Sequence, residues 1–179
     1  MFAKIKDGVV EKYPYTLNDL KAENPQTSYP NGYSLNGLES QGIVPVLSLA
    51  AVYDASTQVA ELDGCEFVNG RWKTKWMVRS KTPQEAAEWL DALTSDIVDQ
   101  TQARLDAFAA TRNYAGILSA CTYATSNNPV FQVEGKRAVQ LRDATWEALF
   151  AIIGEVRSGA RAVTCFSDVE GDLPALSWV

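Results

Sequence analysis

The sequence predicts an α+β protein, in which a β-rich unit comes before a helical one. Asp7-Gly8 and Asn69-Gly70 are each flanked by β-compatible residues, the pattern of tight hairpin turns. After Thr82 the apolar residues change from a period of about 2 to one of about 3.6. We expect an N-terminal β-hairpin/sheet unit, then a long helix and a small helical bundle with an extended C-terminal tail. The predicted domains are residues 1–81 and residues 82–179.

The first hairpin is FAKIKDGVVEKYPY, residues 2–15. An isolated two-stranded hairpin is marginally stable in water, so we expect it to join a larger sheet, in this chain or in another. Counting outward from the turn gives the cross-strand pairs. The predicted pairs are Ile5–Val10, Lys4–Glu11 and Phe2–Tyr13.

A short helix, a loop and a strand are predicted next. Thr16 is a suitable N-cap for a helix over residues 17–23, which must end before Asn24-Pro25. The turn formers between residues 26 and 42 indicate a loop. Residues 43–52 are apolar and partly β-branched, and we expect a strand there.

The second hairpin turns at Asn69-Gly70, the strongest short-range turn signal. The predicted pairs are Val68–Arg71, Phe67–Trp72 and Glu66–Lys73. On the second strand the apolar side chains Trp72, Trp76 and Val78 alternate with the basic ones of Arg71, Lys73, Lys75 and Arg79. One face therefore suits a core and the other suits water.

Three helices are predicted after Thr82. Thr82 and Glu85 form a capping box for a helix that extends to about Arg112. A second helix is expected over residues 114–125, and a third over residues 134–157 with Gly159 as its left-handed terminator. The third helix contains WEALFAIIGEV, which is apolar nearly all round, so it is expected to be buried in a bundle or against another subunit. We expect the tail to be extended, anchored by Leu173, Leu176 and Trp178.

Composition excludes several classes of function. The chain has no histidine, which removes Ser-His-Asp, Cys-His and His-based metal chemistry. The cysteines Cys65, Cys121 and Cys165 are widely spaced and match no zinc or redox pattern. A net charge of −6 disfavours phosphate backbones and anionic membranes. We expect no enzymatic activity, no cofactor, no metal, no nucleic acid and no membrane.

Three other interpretations stay open. Asp91, Asp96, Asp99 and Asp106 could supply paired carboxylates to a hydrolase, or could form a solvated helix face. The basic residues of the second hairpin could bind single-stranded nucleic acid, although its tryptophans occupy the opposite face. The aromatic residues could stack on sugars, but at Trp89 and Trp146 a core position explains them equally well.

Four stretches in the second half carry a resemblance to a known family. They are LDAFAATRNY, GILSACTYATS, EGKRAVQLRDATW and LPALSW, in this order between about residues 102 and 178. Together they resemble a C-terminal module of bacteriophage tail proteins and tail-fibre assembly proteins. The opening MFAKIKDGVVEKYPY also looks like the start of many short phage tail proteins. The chain departs from the family at Val179, where proline is expected after the tryptophan.

The resemblance implies a non-enzymatic tail protein, located in the virion tail or in the host cytoplasm during assembly. It would assist the folding and attachment of a trimeric tail fibre, or remain as a fibre or baseplate component. The expected partner is a phage tail-fibre or baseplate protein, or a second copy of the chain. A carbohydrate-binding module for the host receptor is the alternative. The contact residues are predicted from the hairpin, the apolar third helix and the tail, and not from the resemblance: they are Phe2, Tyr13, Tyr15, Trp146, Phe150, Leu176 and Trp178. For the helix residues Trp146 and Phe150, a place in the internal core is the alternative.

Overall fold

The computed structural model describes residues 1–178 and confirms the α+β class. The chain forms two compact units, which divide between Lys81 and Thr82. In the first unit the elements are β1 (Phe2–Lys6), β2 (Val9–Tyr15), α1 (Leu17–Glu23), β3 (Ile43–Leu47), β4 (Gln58–Val68) and β5 (Arg71–Ser80). In the second they are α2 (Pro83–Ala110), α3 (Ile117–Thr122), α4 (Pro129–Arg157) and α5 (Ser167–Glu170).

The first hairpin joins a sheet of its own chain. The five strands have the order β2-β1-β3-β5-β4, and the pair β3–β5 is parallel while the other neighbours are antiparallel. Strand β1 has a hydrogen-bonded neighbour on each side. Within the hairpin, it is therefore β2 that forms an edge of the sheet. The two outer strands also pack together, since Tyr13 of β2 lies in one cluster with Cys65 of β4 and Trp72 of β5.

The predicted register of the first hairpin is correct next to the turn, but it is wrong further from the turn. Ile5 lies opposite Val10 as expected, but Lys4 lies opposite Lys12 and Phe2 opposite Tyr15. Two irregularities each add one residue on β2, which shifts every later pair. The expected pairs Lys4–Glu11 and Phe2–Tyr13 are therefore not formed.

The second hairpin has the predicted register. Val68, Phe67 and Glu66 lie opposite Arg71, Trp72 and Lys73 respectively, and the ring centroids of Phe67 and Trp72 are 5.4 Å apart. Strand β3 is shorter than predicted and ends at Leu47. The chain leaves the sheet there because the Leu49 N–H donates to Thr74 Oγ1 (2.9 Å) and the Leu49 carbonyl accepts from Trp76 Nε1 (2.8 Å).

The long helices begin where caps are available. The capping box of α2 is formed as predicted, with Glu85 accepting from the Thr82 N–H at 2.8 Å. Helix α4 begins at Pro129, earlier than predicted, because Asn128 accepts from the Val130 N–H (3.0 Å) and proline suits the first helical position. It is followed by Gly159 in the left-handed region, with φ 76°, as expected.

The middle helix and the tail differ from the predictions. Helix α3 starts at Ile117, three residues later than expected, and a 3-10 turn over Tyr123–Thr125 follows it. The tail is not wholly extended, since α5 interrupts it and buries Val169.

Helices α2 and α4 pack antiparallel and form the core of the second unit. One cluster joins Leu93 and Ile97 to the C-terminal half of α4 and to the tail, through Leu149, Ile152, Val156, Val163, Val169 and Leu173. A second cluster joins Leu105 and Ala109 to α3 and the N-terminal half of α4, through Ile117, Ala120 and Ala138. Thr101 and Thr145 are fully buried and belong to neither cluster.

Two glycines inside α4 should respond in opposite ways to alanine. A Cβ at Gly135 would overlap the backbone of Tyr123 and Ala124, whereas a Cβ at Gly154 would meet nothing. We expect Gly135→Ala to destabilise the protein by about 1–3 kcal/mol through overpacking. Gly154→Ala should stabilise it by roughly 0.5–1 kcal/mol through helix propensity. Denaturant unfolding measures both, and a stabilising Gly135→Ala would contradict this close approach of α4 to the 3-10 turn.

Candidate functional site

A row of five aromatic rings crosses the second unit. Phe108 of α2 stacks on Trp178 of the tail with ring centroids 4.3 Å apart, and Trp178 lies 6.1 Å from Tyr114. Tyr114 is 5.3 Å from Tyr123, which meets Phe131 edge-on at 5.7 Å. These residues come from four separate parts of the sequence, so the row exists only in the folded unit.

The tail reaches this row because three side chains hold it. Arg104 Nη2 donates to the Pro174 carbonyl at 3.0 Å, and Arg137 Nε donates to the Ser177 carbonyl at 2.9 Å. Trp178 Nε1 donates to Thr111 Oγ1 at 2.9 Å. The LPALSW stretch is therefore docked on its own helices.

Beside the row lies a small polar centre. Glu134 of α4 accepts from the Tyr114 hydroxyl at 2.7 Å through Oε2, and its Oε1 lies 3.3 Å from Arg112 Nη1. Burial, and next the hydrogen bond to Glu134, raise the pKa of Tyr114 to about 12. Both carboxylate oxygens of Glu134 are thus engaged, which suits a fixed anchor better than a proton acceptor for a reaction.

Exposed apolar side chains surround this polar centre. Val130 is 64% exposed, Val133 52%, Phe131 44% and Tyr123 40%. Hollows of about 410 Å³ and 220 Å³ are lined in part by both Arg112 and Glu134. We call the four apolar residues, with Arg112 and Glu134, the α3–α4 surface. Clustered apolar exposure of this kind marks interaction sites in soluble proteins.

Sequence reasoning missed this surface. It treated residues 126–133 as the end of one helix and a connection, so the first turn of α4 was not recognised. Asn128-Pro129, a cap residue followed by proline, is the signal that could have placed Val130, Phe131 and Val133 on a helix.

The three predicted contact residues of the hairpin pack within the first unit. Phe2 and Tyr13 are half-buried against its apolar clusters. Tyr15 is only 2% exposed, and its hydroxyl donates to Glu23 at 2.8 Å. Burial, and next this hydrogen bond, raise the pKa of Tyr15. A role of these rings in contact with a partner stays a prediction, and it would require them to leave their present packing.

The four predicted contact residues of the second unit differ in exposure. Trp146 is half-buried between the two helical clusters, and Leu176 and Trp178 pack on the second of them. Phe150 is 62% exposed and stacks on Trp146 at 5.7 Å. Phe150 is thus the predicted contact residue whose ring is most available to another molecule.

The acids of α2 do not converge on one place. Asp91 pairs with Arg157 at 2.8 Å, and Asp96 accepts from Gln100 at 2.7 Å. Asp106 accepts from the Ile117 N–H at 2.7 Å and so satisfies the first turn of α3, a role the sequence did not reveal. Among residues 1–178, no group of three or more histidine, cysteine or acidic residues is placed to hold a metal ion. Within the same residues, no helix has the length and apolar character needed to cross a membrane.

The first unit has an apolar groove, and it has a basic strand whose charge is partly offset by acids of the neighbouring strand. The groove, of about 580 Å³, is lined by Val44, Pro45, Val46, Leu47, Phe67, Gly70, Arg71 and Trp72. On β5, Lys75 lies 2.5 Å from Asp63, and Arg79 donates to Glu61 at 2.8 Å. These acids of β4 reduce the positive charge that a nucleic acid would need.

No protein-family model, curated protein or solved structure matches the chain. The candidates for function are therefore the surfaces themselves, foremost the α3–α4 surface.

The raised pKa of Tyr114 should appear in the pH dependence of stability. The unfolded phenol ionises near its ordinary value of 10.0 and the folded one near 12, so the unfolded state loses its proton first. The contribution of the protonated Tyr114 to the free energy of unfolding is then complete below about pH 10, and it is lost as the pH rises to about 12. We expect Tyr114→Phe to cost stability at pH 8 and progressively less as the pH approaches 12. The measurement is urea unfolding across this pH range, and the control is Tyr53→Phe, which changes an exposed tyrosine of the first unit. A loss of stability in Tyr114→Phe that does not depend on pH would contradict the bond to Glu134.

Proposed function

We propose that the chain is a non-enzymatic bacteriophage tail protein that acts by protein–protein contact, as a tail-fibre or baseplate-associated component or as a fibre assembly chaperone. The observation that carries the proposal is the α3–α4 surface. Four apolar side chains are exposed there around an oriented Arg112–Glu134 pair. Apolar and aromatic residues with an arginine are the composition of interface centres.

The physical reason for a protein partner is the character of the exposed groups. No hydrogen bond can be made by the side chains of Val130, Val133 and Phe131. When such apolar area is removed from water, it contributes about 25 cal/mol per Å² to the free energy of binding. A partner that covers them gains this free energy, while Arg112 and Glu134 can fix its orientation. A small polar ligand would gain little from the three apolar side chains.

The phage assignment is supported by where the four resembling stretches lie. LDAFAATRNY contains Phe108, Arg112 and Tyr114, and GILSACTYATS contains Tyr123. EGKRAVQLRDATW begins with Glu134, and LPALSW ends with Trp178. The ring contacts and the Glu134 bonds described above join all four stretches at one place. Residues that define the resemblance therefore also build four of the five rings of the aromatic row, all but Phe131, and the polar centre of the α3–α4 surface.

A test of partner binding compares two surface variants. Co-expression with the phage's tail-fibre and baseplate proteins, followed by affinity capture of this chain, should recover one of them with the wild type. Phe131→Asp combined with Val133→Asp should reduce recovery at least tenfold, because two charges would be buried in the contact. Val52→Asp combined with Tyr53→Asp, at exposed positions of the first unit outside the hairpin, is the matched control. Recovery that is equal for all three proteins, or absent for the wild type, would contradict the proposal.

The two versions of the role differ in the finished particle. A structural component should be present in purified virions in a stoichiometric amount, because its contact is permanent. An assembly chaperone should be absent from virions while still being captured with the fibre protein from infected cells. Quantitative mass spectrometry of virions separates the two, and absence from both samples would contradict each version.

One observation favours a second candidate, saccharide binding. The 220 Å³ hollow combines the rings of Tyr114, Tyr123 and Phe131 with the polar groups of Arg112, Asn113 and Glu134. Aromatic rings beside fixed polar groups suit a sugar, which has an apolar face and hydroxyl edges. A glycan array tests it, with Asn113→Gly as the variant that keeps the positive φ of 63°. Saccharide binding by the wild type that is lost in this variant would support the candidate function. Absence of binding by the folded wild type to any glycan on the array would contradict it.

A further inference from the structure

A second uncovered surface lies on α4, on a side of the helix away from the main core. Phe150 is at its centre, with Trp146 and Ile153 half-buried at one flank and Gly154 exposed at the other. Asp143 and Arg157 lie about two helical turns on either side of Phe150. All of these positions fall within an arc of about 120° on the helix, so a single partner could cover them. We call them the Phe150 face.

The Phe150 face borders a groove between α2 and α4. The groove has a volume of about 480 Å³ and is lined by Phe150, Ile153 and Arg157 of α4, and by Asp91, Thr94, Ser95 and Val98 of α2. Arg157 spans one end, donating to Asp91 (2.8 Å) and to Thr94 Oγ1 (3.1 Å). The groove is thus apolar in its middle and charged at its end.

Gly154 is an independent sign that something approaches this face closely. It lies inside a helix, where glycine costs roughly 0.5–1 kcal/mol relative to alanine. A Cβ at this position would meet no atom of the chain. Packing within the described chain therefore gives no reason for glycine here, in contrast to Gly135. A neighbouring molecule that comes close to the backbone at Gly154 would supply one.

We infer that the Phe150 face binds the same face of a second copy of this chain, with the two α4 helices antiparallel about a twofold axis at Phe150. The reason to choose a second copy is self-complementarity. In such a pair, positions at equal distance from Phe150 in opposite directions lie level with each other. Arg157 then lies level with Asp143 of the second copy. Within one copy Arg157 pairs with Asp91 at 2.8 Å and Asp143 pairs with Arg142 at 2.6 Å, but more than half of each of the two side chains stays exposed, so each can also meet its counterpart in the second copy.

The same arrangement matches the uncharged positions. Phe150 meets Phe150 of the second copy, and Trp146 lies level with Gly154 and next to Ile153 of that copy. The large indole thus shares a flank of the interface with Ile153 of the second copy, and the smallest residue, Gly154, lies at the same level on the other flank. Each contact away from the axis occurs twice because a twofold interface is isologous. A pair of residues that contributes little binding free energy alone therefore contributes it twice.

The contact is short, and this sets the expected strength. From Asp143 to Arg157 the helix is about 21 Å long, less than most obligate interfaces cover. The dimer should therefore be weak and should appear at roughly 10–500 µM. The inference deepens the proposed function, since it names a second copy as one of the contact partners, but it concerns a different surface from the α3–α4 surface.

Charge reversal gives the sharpest test. Within one chain, Asp143 and Arg157 are too far apart along α4 to pair, so any energetic coupling between them must act between copies. Asp143→Arg and Arg157→Asp should each weaken the dimer at least fivefold by placing like charges together. The double variant should restore at least half of the wild-type association. Sedimentation velocity over the stated range measures this, against the monomer mass of 19.6 kDa.

Two further variants complete the experiment. Phe150→Glu should abolish the dimer, whereas Phe131→Asp with Val133→Asp should leave the dimer intact while it reduces capture of the tail protein. Gly154→Leu should also abolish the dimer, although its helix propensity should keep the monomer folded, as circular dichroism will show. A wild type that stays at 19.6 kDa throughout, or a double charge reversal without rescue, would overturn the inference. Neither result would affect the capture experiment on which the proposed function depends.

Discussion

The antiparallel packing of α2 on α4 is the interaction on which the second unit depends. Each helix buries one stripe of apolar side chains. The contact extends along most of the length of both helices, as shown by the buried residues Leu93, Leu105, Leu149 and Ala138. Two helices alone cannot cover each other completely, so the remaining sides need other partners. Helix α3 and the tail cover part of them. The Phe150 face and the first turn of α4 stay exposed, and these are the places where we propose that other molecules bind.

Much of this fold could be predicted from local signals in the sequence. The Asn69-Gly70 register and the Thr82–Glu85 capping box were correct because each depends on residues within one turn or one helix end. The shifted pairs of the first hairpin were missed, since no residue pattern marked the two irregularities opposite β1. The start of α3 depends on Asp106, eleven positions away in sequence, and the tail depends on Arg104 and on Arg137. Contacts of this kind have no local signal.

The candidate site shows the same division between local and distant information. Phe150 was predicted as a contact residue from the apolar run around it, and the structure leaves its ring exposed. Trp178 was predicted for the same purpose but stacks on Phe108, which no spacing in the sequence could indicate. The aromatic row and the bond from Tyr114 to Glu134 join four stretches that are separate in sequence, so their meeting was visible only after folding. A resemblance to phage tail proteins had pointed to those stretches, and their meeting at one surface gives the proposal a physical location.

The central claim is that the exposed apolar surfaces of the second unit are covered by other proteins when the chain functions. Hydroxyl-radical footprinting measures this coverage directly, side chain by side chain. Phe131 should lose reactivity when the chain is purified with the proposed tail partner, and Phe150 should lose it as the free chain is concentrated. Unchanged reactivity of both rings in both samples, with Tyr53 as an internal reference, would contradict the account.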